Sequence, residues 1–191
     1  MSAKHKTQKT VALGLVMTVA SGTATAFETP YKGTISGTFI STQIDAIPGD
    51  GVRAILGSFA VTTRRLGQIT SQALTEDVPA ATPSGNCPAG TETEFTLGSG
   101  RGSHRFPNGD LLFLKVLQRT GCLDFDTLTF TTREAGEFAG GTGQFAEATG
   151  SWKISGTAKL LVVDPALEFF GSFSGKLRGT IVTPTRIRAG K

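Results

Sequence analysis

The chain has 191 residues with 19 basic and 15 acidic side chains, a net charge of +4, 25 glycines and 13 phenylalanines. That length builds one domain with a proper core rather than two. Lys4, Lys6 and Lys9 precede an apolar run from Val11 to Ala20 and the small-x-small sequence Ala24-Thr25-Ala26, the layout of an export signal covering residues 1–26. The apolar run is too short for a membrane span, which needs about 20 residues. Cleavage before Phe27 removes those three lysines, so 16 basic residues face 15 acidic ones and the net charge falls to +1. A nucleic-acid binder needs a basic face that survives such processing, with aromatic or groove-reading side chains beside it. No such combination is visible, although a local patch stays open.

From Phe27 onward the dominant pattern is alternation of period two, the signature of half-buried strands. Tyr31, Gly33, Ile35, Gly37 and Phe39 share one face; Ile55, Gly57, Phe59 and Val61 share another. The stretch Glu76 to Gly90, with three prolines and Cys87, reads as the longest loop, and Gly98 to Pro107 as a second, polar one. His104, the only histidine after the signal, falls in that polar stretch and reads as a surface residue. Pro107-Asn108-Gly109-Asp110 signals a hairpin turn before Leu111 to Val116, whose almost wholly apolar sequence predicts a strand covered on both faces. The alternation changes phase near Thr127, which predicts a bulge.

Cys87 and Cys122 are even in number and follow an export signal, so they predict a structural disulfide. One histidine and paired cysteines give no metal set, and no motif calls for a cofactor. Two carboxylate pairs, Glu92 with Glu94 and Asp124 with Asp126, lie opposite apolar neighbours at i and i+2 and are expected to face water.

Near the C-terminus, Gly140-Gly141-Thr142-Gly143-Gln144-Phe145-Ala146-Glu147-Ala148-Thr149-Gly150 predicts a tight glycine turn, a short strand and a second turn. Trp152, Ile154, Gly156, Ala158 and Leu160 then alternate, followed by Leu167, Phe169, Gly171, Phe173, Gly175, Leu177, Gly179 and Ile181. Inward glycines let strands bend and facing side chains approach, as small closed barrels require. Residues 184–191, with Arg186, Arg188 and Lys191, read as a loose basic tail after a barrel domain of residues 27–183.

The segment from Gly140 to Gly150 resembles the G-G-T-G-x-F-x-x-A-x-G segment of the allene oxide cyclase and dirigent protein superfamily. Phe173-Ser174-Gly175 with Gly179-Thr180-Ile181 is similar to its closing strand, and Asn108 to Leu112 to the start of a middle strand. The resemblance implies an all-β, closed antiparallel barrel of about eight strands in an exported bacterial member, with a lumen for apolar small molecules and self-association into dimers or trimers. It carries over no catalytic residue. The lumen candidates are Phe39, Phe59, Trp152, Phe169 and Phe173. Three functions follow: a periplasmic or extracellular carrier of a small apolar molecule, a cofactor-free cyclase or isomerase, and an interaction module with a packed interior. Whether the chain is an enzyme is left open.

Overall fold

The computed structural model describes residues 25–44, 51–81, 85, 87–88, 93–164 and 168–188. They form eight strands: β1 (Phe27–Gln43), β2 (Arg53–Thr63), β3 (Gly67–Pro79), β4 (Thr93–Arg105), β5 (Leu111–Asp124), β6 (Thr129–Gly141), β7 (Thr149–Asp164) and β8 (Glu168–Thr183). Each pairs antiparallel with the next, and β1 pairs with β8 from Phe27↔Thr183 to Thr42↔Glu168, so the sheet closes into a barrel. Closure removes the two unpaired edges that an open sheet would expose.

Alternation decides which residues fill the barrel. On β1, Tyr31 and Ile35 are buried and cluster with Val61 and Ile69 of the next strands, Trp152 and Ile154 of β7, and Leu177 and Ile181 of β8, whereas Phe39 joins a second cluster with Phe95, Phe130 and Phe169. The inward glycines lie against the aromatic rings. A Cβ at Gly57, Gly121, Gly136 or Gly156 would stand 2.1–2.5 Å from ring atoms of Phe59, Phe130, Trp152 and Phe173, respectively. The rings therefore occupy the space that side chains at those positions would fill.

One end is closed by apolar residues from the turns. Phe106 and Phe145 stack at 4.3 Å, and Leu66, Ala148 and Ile187 are buried with them. The glycine turn builds this plug. Gly140 (φ 78°) and Gly143 (φ 53°) take left-handed conformations, whereas Gly141 stays extended with no room for a Cβ against the Leu111 carbonyl. The Asp110 carboxylate accepts from the Gln144 amide at 3.2 Å. Gly143–Phe145 is a 3-10 turn, so the short strand expected there is replaced by a compact cap over the barrel end.

Several other expectations are corrected. Gly98 to Arg105 belongs to β4 and is not a loop, and β3 runs on to Pro79. The phase change near Thr127 is the β5–β6 turn, with Leu128 at φ 51°, rather than a bulge. The Leu111 to Val116 strand is bare on its outer face, where Phe113 is 38% exposed. The tail is not loose up to residue 188: Ile187 is buried, and the Arg188 amide donates to Gln144 Oε1 at 2.9 Å. Residues 1–24, 189–191 and Leu167 lie outside the described set.

Cys87 and Cys122 are disulfide-bonded, 35 residues apart. Closing a loop of that size stabilises the fold by about 4 kcal/mol in the chain-entropy model. Glu94 pairs in register with Cys122 on β5 and is buried rather than solvated, which corrects its expected exposure. Asp124 is half-buried and Asp126 exposed; Glu92 lies outside the described residues. No helix among the described residues is long and apolar enough to cross a membrane.

Candidate functional site

The aromatic rings do not fill the barrel. A cavity of about 70 Å³ is walled by Ile35, Phe39, Phe59, Trp152, Ile154 and Phe173 together with Thr75, His104, Arg119 and Glu134. One water needs about 10–15 Å³ of such space, so several fit. Phe39 and Phe130 also wall a smaller chamber of about 20 Å³, which adds Phe169, Ser41, Arg53 and Asp77. Four of the five lumen candidates thus line the main cavity, and Phe169 lines the second chamber.

Two β-bulges turn Arg119 and His104 into the lumen. On β5 the register shifts between Val116 and Gln118. Leu112, Leu114 and Val116 point inward before the shift, and Arg119, Gly121 and Leu123 after it. Without the extra residue Arg119 would face water. On β3–β4 the register shifts at Glu76/Asp77, opposite Gly98. That shift turns Gly100, Gly102 and His104 inward, so the histidine expected at the surface is only 1% exposed.

Arg119 links the two chambers. Its guanidinium reaches Asp77 at 3.1 Å and Glu134 at 3.4 Å, and it donates to Thr75 Oγ1. Asp77 Oδ1 and Arg119 Nε nonetheless make no well-aligned hydrogen bond among the described residues, so the network is electrostatically paired but incompletely satisfied. Arg53 lies in register with Asp77, donates to the Ser41 hydroxyl at 2.8 Å and carbonyl at 2.7 Å, and stacks over the Phe169 ring at 4.0 Å. Burial pushes the Asp77 carboxyl up to about 6; Arg119 opposes the shift, Glu134 adds to it, and Arg53 opposes it. Burial also lowers the Arg53 pKa, against the pull of Asp77.

His104 belongs to a different kind of polar site. Its Nδ1 shares a hydrogen bond with the Tyr31 hydroxyl, and both side chains are buried, with Phe138 edge-on to the tyrosine ring. Burial lowers the histidine to about 3 and raises the tyrosine far above its ordinary range, so both are neutral near pH 7. The lumen therefore offers a neutral imidazole at one level and a cation held between two carboxylates at another.

No protein-family model matches this chain, and no curated relative matches it. Among solved structures it is similar to the pterocarpan synthase dirigent protein GePTS1, with 11% sequence identity, a TM-score of 0.41, and coverage of 87% of this chain and 90% of that one.

Sequence reasoning missed Asp77, Arg119 and Glu134. Glu134 was accessible by counting in twos from Phe130 through Thr132 to Phe138. Asp77 ends the inward series Ile69, Ser71, Ala73, Thr75, whose polar members hide the period. Arg119 carried no signal, because the bulge that turns it inward has no sequence mark of its own.

Proposed function

We propose that the barrel holds a small, mainly apolar molecule in its lumen, with one polar group of that molecule directed to Arg119. The carrying observation is the cavity itself: aromatic walls interrupted by one incompletely satisfied ionic group. Sites for small molecules have this composition, apolar surface for affinity and a few placed polar groups for orientation. Native mass spectrometry of detergent-free protein tests it. A retained small molecule, lost in the cavity-filling variant Ala73→Leu, supports the reading. No retained molecule, together with no binding of an apolar fluorescent probe, overturns it.

The cyclase or isomerase reading gains a specific residue. Asp77, with its pKa raised to about 6, is a buried carboxyl able to give up or take a proton near neutral pH. Turnover of the retained molecule that Asp77→Asn abolishes without releasing the ligand distinguishes an enzyme from a carrier.

Residues 1–26 are proposed as the export signal and residues 27–183 as the exported barrel, in keeping with the disulfide. N-terminal sequencing of the exported protein tests the boundary. Self-association is proposed through an outward apolar row in which Phe170, Ile40, Leu56 and Leu74 are successive partners across four strands. Leu56 and Leu74 are 57% and 56% exposed, and light scattering of Leu56→Glu/Leu74→Glu against the parent measures their part.

A further inference from the structure

We infer that the outer face of β1, β8, β7 and β6 is a binding surface for an acidic polysaccharide. Sheet register places Lys32, Arg178 and Lys153 side by side on three adjacent strands, and Lys176 and Arg133 in the next row, with Ser155 between them. All five cations are exposed, and none forms an ion pair among the described residues. Adjacent strands are about 4.8 Å apart, so Arg178 is flanked on both sides by like charge at a separation that works against folding. Both neighbouring acids are engaged elsewhere: Glu137, one row away, by Lys115 at 3.2 Å, and Glu134, at the floor of the wall beside Arg133, by Arg119 at 3.4 Å. A chain with a net charge near +1 after processing thus gathers an uncompensated cationic field on one face.

The chemistry around the cations selects the occupant. The next outward row carries hydroxyls, Ser36, Ser174, Thr157 and Thr131 being successive register partners. Two contiguous depressions of about 620 and 690 Å³ lie here and share Thr120, Arg133, Ser155 and Lys176. Neither row presents an outward aromatic ring on which bases could stack. Neither presents a large apolar side chain to enter a bilayer or form the dry centre of a protein interface. Cations interleaved with hydroxyls match a sugar chain bearing carboxylate or sulfate groups and its own hydroxyls. The surface lies on the outside of the barrel, where one depression reaches Arg119, Glu134 and Ile154 of the wall, and its argument rests on the outward cations rather than on the lumen reading.

The test is titration of the purified protein with heparin and with polygalacturonate across a salt series. Binding is expected at about 50 mM salt, weakening with a slope of about three to five released counterions. Lys32→Gln/Lys153→Gln/Arg178→Gln is expected to weaken binding about tenfold or more while melting no lower than the parent, because it relieves repulsion. Arg65→Gln, in the exposed β2–β3 turn, is expected to leave binding within about twofold, as removal of a cation outside the contact should. The proposal is overturned if neither polymer binds, if the triple variant binds like the parent, or if phosphatidylglycerol vesicles or single-stranded DNA compete more strongly per charge.

Discussion

The barrel buries two polar groups in opposite ways. Tyr31 and His104 are buried as a neutral pair sharing a hydrogen bond, packed into the apolar cluster that reaches the plugged end. Asp77 and Arg119 are buried, with the half-buried Glu134, as a charged cluster in contact with the cavities. A neutral pair needs only its mutual hydrogen bond to repay desolvation, whereas buried ions need partners on every side. Both sites reach the main cavity, through His104 and through Arg119 and Glu134, and the contrast is that only the charged cluster keeps unsatisfied polar atoms.

The largest expected break in that contrast comes from Arg119→Met. It strands two carboxylates in the interior and should cost about 3–5 kcal/mol in urea denaturation. Part of that loss should return at low pH, where the carboxylates are neutral. Second in size is a pH effect. The folded His104 sits near 3 against an ordinary 6.5, so its site loses stability as pH falls from 6.5 towards 3. The folded Asp77 sits near 6 against an ordinary 3.8, so its site has its full contribution below about 4 and loses it as pH rises through 6. Between about pH 4 and 6 the two slopes oppose each other, and the contribution of this pair to wild-type stability should be nearly flat. Asp77→Asn should unmask a rise of about 1.4 kcal/mol per pH unit across that window, and His104→Gln a fall of similar size. Equilibrium denaturation at stepped pH measures both.

The smallest effect is expected from Tyr31→Phe, which leaves the imidazole nitrogen unpaired and should cost about 1–3 kcal/mol. Because the remaining group stays neutral, that loss should be independent of pH between about 7 and 9. A loss equal to that of Arg119→Met would erase the distinction between the two sites.

Most of the wall was legible in the sequence. The alternation of Tyr31 to Phe39, Ile55 to Val61, Trp152 to Leu160 and Phe169 to Ile181 identified inward faces correctly, because a strand has only two faces and water sorts them. The inward glycines foretold the close approach of ring and backbone seen at Phe59 and Phe173. Counting in twos along β4 and β5 misplaces His104 and Arg119 for one reason. Each follows a bulge, and a single extra residue exchanges the inner and outer faces of everything after it. That is why Gly98 to Arg105 reads as polar loop: in unbroken register its arginines and serines would face the core.

By itself, then, the sequence determined the strand class, the inward aromatic and glycine positions, and the cysteine pair, since these depend on local period and composition. Only the tertiary structure decided where the bulges fall, which cations share a row outside, and which charges meet inside. Those features arise from the register between strands distant in sequence, and one chain read in order contains no record of its partner's phase.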